Sequence, residues 1–591
     1  MNVSYAQHSE LLERLTGQNS NSLEFIILAT GALDTDDRKT LFSLLQESTR
    51  VLKNGGLLFV QGRPKILPEL GVYLEKHLTF KYWFAIESTL SKAARLPSVH
   101  AGVMLFTKGK GRFNIKQVRF PHQICKACER TLKDWGGKAH LMNPEGYVIS
   151  DVIKDLPTTD NYSQISKPLF DILIQMLDFH PSKKRRQDKL INTPLAEISG
   201  LVGPVEALLW KRLAESRAQY VLPGFPLSTA AKNGKVSSPT IRPVTSAGTL
   251  LSLPKGSVGS LSEVERPIVD KNKLYNVIHQ GDAVEILRQY PDESVDLVFA
   301  DPPYNLDKNY TVYDDEQAEH KYIEWCNTWL AEYARILKPA GSLFVLNLPR
   351  WALHHANFLN RRLHFQNWIV WDALSEPRGK VMPAHYALLF YSKHPTNFTF
   401  NYEAVSPIDA RHYCLRASCI RQRKKMGDDD KANLNDIWWD VHRIKHRRDR
   451  DYHPCQLPEP FMSRIIRLAT HPGDVVLDAF GGAGTTPVTA LQLGRRYIAI
   501  DLDADYVNIM QRKIEQIENS GQIQRQSVKQ ESRAVSKKAL QLELRQLTSD
   551  LGRLPTPEDV KEKSRYDLDI FLKSFPTWGK ALKAAKLEMQ S

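Results

Sequence analysis

The chain matches itself at a constant offset of 285 residues, and this internal repeat constrains its fold more than any other feature. The match begins near Val51, continues without a gap to Ile115, and falls on residues 336–400. The pairs that match include Leu58-Phe59-Val60 with Leu343-Phe344-Val345, Gly56 with Gly341, Trp83 with Trp368, and His100 with His385. A period this long excludes a solenoid, so it predicts a duplicated domain.

Short apolar runs alternate with helical patterns in both copies. Val295–Ala300, Ser342–Leu346 and Asp474–Asp478 have the composition of buried strands, and Trp325–Leu337 has a helical pattern. Strands that alternate with helices predict an α/β fold with a mostly parallel, doubly wound sheet.

Composition excludes several classes of protein. Six cysteines in 591 residues cannot form a disulfide framework. Met1–Tyr5 does not begin a signal peptide, and no apolar stretch approaches the roughly 20 residues that cross a bilayer. We therefore expect a soluble, cytoplasmic protein without a membrane partner. The formal net charge of +14 favours a polyanionic partner.

The run Asp301-Pro302-Pro303-Tyr304-Asn305 directly follows the predicted strand Val295–Ala300. Its prolines restrict a loop at the carboxyl end of that strand, where open α/β sheets bind ligands. The loop presents a carboxylate, a carbonyl and an aromatic ring in fixed relation, which suits an exocyclic amine on a flat ring. A turn without chemistry is the alternative that this motif alone leaves open.

A glycine-rich turn lies between a predicted strand and a predicted helix. Asp474–Asp478 runs into Phe480-Gly-Gly-Ala-Gly-Thr-Thr486, a helix follows to Leu493, and the next strand ends in Asp501. Glycines let the backbone approach a ligand closely, and an acid after the next strand suits a ribose diol. The pattern predicts an adenosine-containing cofactor. No Gly-Lys-Ser/Thr follows, which excludes a Walker-type phosphate loop.

Two further elements complete the set. His453–Pro460 reads His-Pro-Cys-Gln-Leu-Pro-Glu-Pro before the glycine-rich turn, and Gly281-Asp282 precedes the Asp301 strand. In this order, over about residues 270–515, the motifs resemble the beta class of S-adenosylmethionine-dependent DNA amino-methyltransferases, which modify adenine N6 or cytosine N4. The resemblance implies a Rossmann-like methyltransferase sheet. Leu457 departs from the lysine or methionine that is frequent in that class.

The resemblance implies a role for each motif residue. Asp301 and the Pro302 carbonyl would accept hydrogen bonds from the target amino group, Pro303 would complete the loop, and Tyr304 would stack on a base that has left the helix. Methyl transfer would be a direct in-line displacement without a covalent intermediate. The residues implied to surround S-adenosylmethionine are Asp282, His453, Gln456, Pro458, Asp478, Phe480, Gly481, Gly482, Gly484, Thr485 and Asp501.

The identity of the target base stays open at this point. Aspartate at the first loop position is commoner in adenine enzymes of this class and serine in cytosine enzymes, so Asp301 favours adenine N6 in double-stranded DNA over cytosine N4. Both bases present an amino group beside a ring nitrogen, and RNA is not excluded. A non-catalytic DNA-binding or scaffold protein is the alternative from a different class, against which Asp301 and Tyr304 argue.

Residues 411–450 form a basic stretch with 12 lysines and arginines against 6 acidic residues. A solvated face is the ordinary explanation of such a run. Here it falls where the methyltransferase class places its DNA-contacting loops. The predicted DNA-binding residues are Arg421, Arg423, Lys424, Lys425, Arg443, Lys445, Arg447 and Arg448. A cognate restriction endonuclease is a further candidate partner that the resemblance implies.

The N-terminal copy lacks the parts that would perform chemistry. Aligning Ser22–Phe25 with Ser294–Leu297 places Ala29–Ala32 opposite Asp301–Tyr304, without a carboxylate or an aromatic ring. No glycine-rich loop follows Ile165–Leu177, the segment that matches the helix after His453. We predict a non-catalytic methyltransferase-like copy that serves as the second protomer of an intramolecular pseudo-dimer.

Cys125 and Cys128 form a Cys-x-x-Cys pair, which is half of a common zinc motif. The sequence contains no second Cys-x-x-Cys, and Cys414 and Cys419 have a different spacing. We therefore expect ordinary thiols and no bound metal, with a zinc site as the alternative.

The C-terminal region has a helical pattern. Leucines at 540, 544, 547 and 551 form one apolar stripe, and Thr556-Pro557-Glu558-Asp559 has the composition of a helix start. The pattern resembles the small repeat associated with homing endonucleases, which is thought to bind DNA. A packing or oligomerisation domain is the alternative.

Together these patterns predict six segments. They are a degenerate methyltransferase-like domain (1–182), a helical extension (183–225), a flexible linker (226–268), a catalytic methyltransferase domain (269–515), a second linker (516–534) and a small all-α, DNA-binding-like module (535–591).

Overall fold

The computed structural model of the chain contains two compact units, Met1–Gly521 and Gln522–Ser591. It describes residues 2–5, 8–31, 37–88, 95–109, 115–132, 142–154, 156, 162–177, 199–203, 273–306, 317–373, 380–414, 416–427, 431–444, 456–520, 537–551, 553–564, 566–575, 577–585 and 587. Among these residues, no helix is both long enough and apolar enough to span a bilayer.

A first sheet is built from residues before Pro204, which we call the N-terminal half. Its strands are β1 (Asn2–Tyr5), β2 (Leu23–Ala29), β3 (Leu52–Gly62), β4 (Leu78–Glu87), β5 (His100–Lys108), β8 (Val152–Ile153) and β9 (Ser199–Gly203), while β6 (Arg119–Phe120) and β7 (Tyr147–Val148) pair separately. Its helices are α1 (His8–Thr16), α2 (Arg38–Val51), α3 (Leu67–Leu74) and α4 (Lys167–Met176). The strand order is β1-β9-β2-β3-β5-β4-β8.

A second sheet is built from residues 273–520, which we call the central half. Its strands are β10 (Val277–Gln280), β11 (Val295–Ala300), β12 (Leu337–Asn347), β13 (His364–Asp372), β14 (His385–Ser392), β17 (Ile437–Trp438), β18 (Val475–Asp478) and β19 (Arg496–Asp501), while β15 (Ile408–Asp409) and β16 (Lys431–Ala432) pair separately. Its helices are α5 (Ala283–Leu287), α6 (Glu319–Ile336), α7 (Pro349–Leu359), α8 (Ala417–Met426), α9 (Glu459–Ala469), α10 (Thr485–Gln492) and α11 (Ala504–Ser520), with a 3-10 turn at Tyr402–Ala404. The strand order is β10-β19-β18-β11-β12-β14-β13-β17.

Both sheets are mixed, with most strands parallel. β5 and β14 run antiparallel to both of their neighbours, and the other pairs in the two sheets are parallel. Residues of β11 and β18 are almost all buried, as their continuous apolar runs require in a sheet covered on both faces. The α/β prediction is confirmed.

Strand registers put particular residues in equivalent places in the two sheets. Leu28 pairs with Val60 in the N-terminal half, and Ala300 pairs with Val345 at the same place in the central half. Ala29 therefore follows its strand where Asp301 follows in the central half. The central sheet contains β19 between β10 and β18, whereas β1 pairs directly with β9.

Two predicted boundaries are wrong. Residues 199–203, expected in a helical extension, form strand β9, because buried Leu201 and Val202 insert the segment between β1 and β2. Helix α11 continues to Ser520, past the predicted boundary at 515, since buried Ile514 and Ile517 extend its apolar face. The rest of the helical extension, the linker at 226–268 and residues 521–534 lie outside the described residues.

The two halves pack against each other through residues that match in the repeat. Trp83 and Trp368, one from each half, stack with ring centroids 3.9 Å apart and planes 8° from parallel. Helix α3 packs on α7, and a Cβ added at Gly71 would lie 3.0 Å from Leu353. One hydrophobic cluster contains residues from both sheets, so the apolar core continues across this contact.

Two buried aspartates, which are also 285 residues apart, make reciprocal contacts across the same surface. Asp151 of the N-terminal half accepts a hydrogen bond from the Ala384 backbone N–H at 2.8 Å. Asp436 of the central half accepts one from the Val99 N–H, also at 2.8 Å. Each contact is the other with the halves exchanged, the arrangement expected at a twofold interface.

The second compact unit is helical over its described residues 537–587. Its helices are α12 (Lys537–Leu551), α13 (Pro557–Lys563), α14 (Leu568–Ser574) and α15 (Trp578–Ala584). Leu540, Leu544 and Leu547 are buried with Phe571 and Ala581 in one core. Thr556 and Asp559 form the capping box that starts α13, as the sequence indicates.

Candidate active site

Four neighbouring parallel strands of the central half end at one edge of their sheet. β10, β19, β18 and β11 are adjacent and parallel, so their carboxyl ends lie together. Asp282, Asp501, Asp478 and Asp301 lie at or just beyond these ends. All four line one cavity. This is the position at which open α/β sheets bind ligands.

The Asp301 loop is held rigidly at the mouth of β11. The Tyr304 hydroxyl donates to Asp301 Oδ1 at 2.5 Å, so the ring and the carboxylate are fixed to each other. Tyr304 is 5% exposed and lies near the Tyr386 ring, with centroids 6.0 Å apart. The predicted stacking residue therefore forms part of the cavity wall.

Side chains from two helices fix the backbone of the same loop. The Tyr322 hydroxyl donates to the Pro303 carbonyl at 2.6 Å, and the Trp351 indole N–H donates to the Tyr304 carbonyl at 2.7 Å. Asn305 has φ +52° and exchanges two hydrogen bonds with Gln317. These contacts hold the loop in one conformation, as a positioning site requires.

Asp478 organises the glycine-rich turn from the end of β18. Its Oδ1 accepts from the Phe480 N–H at 2.9 Å, and its Oδ2 accepts from the Thr486 hydroxyl at 2.5 Å. Burial raises the pKa of this carboxyl to about 6, although both hydrogen bonds lower it. Asp478 thus braces the loop as well as lining the cavity.

Asp501 holds the other side of the turn. Its Oδ2 accepts from the Gly482 N–H at 2.7 Å, and its Oδ1 accepts from the Asp503 N–H at 2.9 Å. Burial raises its pKa. Gly484 has φ +84°, and a side chain there would meet Met510 at 2.8 Å, so only glycine fits.

The cavity has an aromatic wall beside the acidic edge. Phe480 packs edge-on against Trp325, with centroids 5.7 Å apart, and Gln456 and Tyr506 also line the space. Flat apolar faces beside carboxylates that accept from hydroxyls suit an adenosine: the base packs on the rings and the ribose diol faces the acids.

Most of the predicted site residues meet at this cavity. Those that line it are Asp282, Asp301, Pro302, Pro303, Tyr304, Gln456, Asp478, Phe480, Gly481, Gly482, Thr485 and Asp501. Asp282 also caps α5 by accepting from two backbone N–H groups. Pro458 and Gly484 instead occupy the N-cap positions of α9 and α10, beside the cavity. His453 lies outside the described residues.

The predicted DNA-binding residues divide into three groups. Arg421, Lys424 and Lys425 are exposed on α8. The prediction for Arg423 is wrong: this residue is 4% exposed, and its guanidinium packs over Tyr413, because the third residue of the run faces inward on the helix. Arg443 donates to the Tyr386 hydroxyl at 2.8 Å, which places it near Tyr304. Lys445, Arg447 and Arg448 lie outside the described residues.

Several residues near the site were not found from the sequence. Trp325 and Tyr506 line the cavity, and Tyr386 connects Arg443 to the catalytic loop. Trp325 lies at the start of a recognised helical pattern, but periodicity alone does not separate an aromatic residue in a cavity wall from one in the core.

The corresponding edge of the N-terminal sheet is filled. Tyr162 lies against the loop after β2, where its carbonyl accepts from the Gly31 N–H at 3.1 Å. A Cβ added at Gly31 would lie 2.5 Å from Tyr162. Val202 pairs with Ile27 at the place where Asp478 pairs with Phe299. The described residues at these two strand ends thus carry no acid where the central half has Asp301 and Asp478.

The sequence argument against a metal site is overturned by the packing of the two halves. The missing second pair of thiols is Cys414 and Cys419, which the central half brings to Cys125 and Cys128. All four Sγ atoms lie within 4.8 Å of one another. The spacing rule failed because these pairs come from loops almost 300 residues apart.

Known proteins resemble two parts of the chain. Residues 295–512 match the family described as DNA methylase, and residues 535–588 match the homing endonuclease associated repeat. The DNA adenine methyltransferase YhdJ of Escherichia coli K12 is 32% identical over 254 residues, which cover 41% of this chain and 84% of that protein.

A further relative is the type II methyltransferase M.BamHI of Bacillus amyloliquefaciens. It is 39% identical over 242 residues, which cover 39% of this chain and 55% of that protein, so the chain spans about half the length of this relative. Among solved structures, the PvuII DNA methyltransferase (cytosine-N4-specific) matches with a TM-score of 0.31 and 19% identity, covering 40% of this chain and 85% of that one.

Proposed function

The chain belongs to the DNA methylase family, and on that premise we propose that it transfers a methyl group from S-adenosylmethionine to the exocyclic amino group of a base in double-stranded DNA. The observation that carries this proposal is the convergence of the Asp301 loop and the glycine-rich turn on one cavity. A loop that holds an amine and a pocket that suits an adenosine are the two parts that such a reaction needs.

The residues present fit S-adenosylmethionine. Asp501 would accept from its ribose hydroxyls, Phe480 and Trp325 would pack on its adenine, and Gly482 leaves room for the backbone to approach. When bound, this cofactor supplies an electrophilic methyl group on a sulfonium. The chain itself must exclude water and orient the acceptor, tasks that suit the rigid, largely buried loop around Tyr304.

Asp301 would hold the target amine. Its carboxylate and the Pro302 carbonyl accept hydrogen bonds from the two amino hydrogens, which turns the nitrogen lone pair toward the methyl group. The new carbon–nitrogen bond forms as the carbon–sulfur bond breaks, and the surplus proton leaves through Asp301 or water. The hydrogen bond from the Tyr304 hydroxyl keeps the carboxylate in place meanwhile.

We propose adenine N6 as the acceptor, with cytosine N4 as the alternative. The support is Asp301 at the first position of the loop and the similarity to YhdJ, whose name specifies adenine. Either base must leave the duplex to reach a cavity at a sheet edge. The exposed cations Arg421, Lys424 and Lys425 would contact phosphates, which makes binding dependent on salt.

We propose that the N-terminal half is a degenerate, non-catalytic copy that acts as the second protomer of a pseudo-dimer. The support is the shared strand order, the stacking of Trp83 on Trp368, and the reciprocal contacts of Asp151 and Asp436. Its acid positions are replaced by Ala29 and Val202, so its role is to bind DNA and to complete the fold.

The C-terminal unit is proposed as a DNA-contacting module. The support is its match to the homing endonuclease associated repeat and the excess of basic residues after Gly521. Similarity to type II methyltransferases makes a cognate restriction endonuclease a candidate partner. A restriction-modification role would place the protein in the cytoplasm, with its DNA.

Methyl transfer to unmodified genomic DNA, followed by nucleoside mass spectrometry, tests the proposal. We expect N6-methyladenine that depends on S-adenosylmethionine and on Asp301. N4-methylcytosine instead would correct the base and keep the mechanism. Neither product, from protein shown to bind the cofactor, would overturn the assignment as a DNA methyltransferase.

A further inference from the structure

Four cysteine thiols meet where the two halves touch. Cys125 and Cys419 have their Sγ atoms 3.8 Å apart, and those of Cys128 and Cys414 are 3.6 Å apart. A tetrahedron of thiolates around zinc, with bonds of about 2.3 Å, has sulfur–sulfur edges of about 3.8 Å. Disulfides need about 2.05 Å. The spacing is that of a mononuclear metal site.

The first pair lies on a tight hairpin shaped to hold a metal. The Cys125 N–H donates to the Arg130 carbonyl at 2.7 Å, and the Glu129 N–H donates to the Cys125 carbonyl at 2.9 Å. The Cys125 sulfur accepts from the backbone N–H groups of Ala127, Cys128 and Cys414, the last at 3.3 Å. Backbone donors aimed at a sulfur stabilise a thiolate ligand.

The second pair is anchored to the first independently of any metal. The Lys126 N–H donates to the His412 carbonyl at 3.1 Å, and the Arg416 guanidinium donates to the Thr131 carbonyl at 2.8 Å. Cys419 lies in the first turn of α8, and Cys414 lies just before that helix. Both sides of the site are thus positioned by main-chain contacts between the halves.

We propose that Cys125, Cys128, Cys414 and Cys419 bind one structural Zn²⁺ that joins the N-terminal and central halves. Four thiolates in a tetrahedron select zinc or iron, and sulfurs this close leave no room for the bridging sulfides of an iron–sulfur cluster. A closed site of four protein ligands is structural, because no position stays open for a substrate.

The surrounding charges favour such a site. Zinc with four thiolates carries a net charge of −2, and Arg423 and Arg416 lie beside the cluster. Arg423 donates to the Cys414 carbonyl at 3.4 Å. The burial of an arginine within an otherwise exposed basic run therefore has a reason: its charge offsets that of the metal centre.

Zinc at this position would fix the start of α8 to the hairpin of the N-terminal half. Helix α8 carries the exposed cations Arg421, Lys424 and Lys425. The metal would therefore set the orientation of a basic surface relative to both halves. The site itself does not depend on the proposed methyl transfer, and it would stand if that activity were disproved.

Elemental analysis of the full chain, purified under reducing conditions, tests the proposal. We expect about one zinc per chain, and reconstitution of metal-free protein with Co²⁺ should give the intense visible absorption of a tetrahedral tetrathiolate. Cys128→Ser and Cys414→Ser should each lower the zinc content by about tenfold or more. Cys326→Ala, which alters a thiol buried in α6, should leave it unchanged.

The unaltered chain keeps the test decisive even if a serine variant misfolds. Failure of metal-free full-length protein with reduced thiols to bind either zinc or cobalt would overturn the proposal. So would two disulfides found by mass spectrometry of protein prepared without reductant in the presence of zinc. Iron in place of zinc after expression with both metals supplied would refute the metal assignment.

Discussion

The N-terminal and central halves have nearly the same strand order, but they differ at the strand ends. The central half ends its strands in Asp301, Asp478 and Asp501, whereas the N-terminal half has Ala29 and Val202 at the first two places. The interface residues Trp83 and Trp368 are equivalent. The difference teaches that packing needs the sheet and its helices, while chemistry needs only a few loop residues.

The missing strand explains part of this difference. In the central sheet, β19 delivers Asp501 beside the glycine-rich turn, whereas the N-terminal sheet pairs β1 directly with β9. A sheet without that strand has no carboxylate at this place. The described strand ends of the N-terminal half thus lose the amine holder and the ribose acceptor together, while the contact that joins the halves is kept.

The largest expected effect separates the two loops. Asp301→Ala should lower the rate of methyl transfer about a thousandfold or more, because the amine loses its hydrogen-bond acceptor, while binding of S-adenosylmethionine persists. Thr30→Val, which removes a hydroxyl from the equivalent N-terminal loop, should leave the rate unchanged. Single-turnover kinetics on DNA would measure both. A large effect of the Thr30 change would contradict the assignment of chemistry to one half.

The second prediction concerns what the halves share. Trp83→Ala and Trp368→Ala should each lower the free energy of unfolding by about 3 kcal/mol, since each leaves a cavity at the interface. The double variant should cost clearly less than the sum, because both changes remove one stack. Calorimetric unfolding would measure these costs, with Trp578→Ala in the other compact unit as the control. Strictly additive costs would refute the contact.

The third prediction tests the strand that only the central sheet contains. Asp501→Asn should weaken binding of S-adenosylmethionine about 10- to 100-fold, because the amide offers one acceptor where Gly482 and Asp503 need two. Asp505→Asn, exposed at the start of α11, is the matched control. Isothermal titration would compare the variants, and equal affinities would remove Asp501 from the cofactor site.

The fourth prediction uses the buried carboxyl of Asp151. Burial raises its pKa to about 7, so the folded chain holds a proton that the unfolded chain releases near pH 4. Stability should therefore fall as the pH rises from about 4 to 7. Asp151→Asn keeps an oxygen for the Ala384 N–H and should lack this loss, by about 2 kcal/mol relative to the parent between pH 5 and 8. Parallel pH profiles of unfolding would contradict it.

Local patterns predicted most of the catalytic side of the molecule. The alternation of strands and helices gave the sheet, and the position of Asp301, Asp478 and Asp501 at strand ends placed them at one edge, because the strands are parallel. The helix start at Thr556 was equally readable, since a capping box is a local interaction. Residues close in sequence carried each of these predictions.

Long-range packing decided what the sequence did not show. Arg423 points inward because Tyr413 and the thiol cluster lie behind α8. The four cysteines meet only because two halves pack together, and no spacing rule joins Cys128 to Cys414. Strand β9 is short and includes two glycines, so its pattern is weak until neighbouring strands bury Leu201.

The claim that one half carries the chemistry is tested most directly by counting cofactor sites. Isothermal titration of the full chain with S-adenosylmethionine should give one site per chain, and Asp501→Asn should weaken that site. Two sites per chain, or one site that Asp501→Asn leaves intact, would contradict the account, because the cofactor would then be bound elsewhere than at the central strand ends.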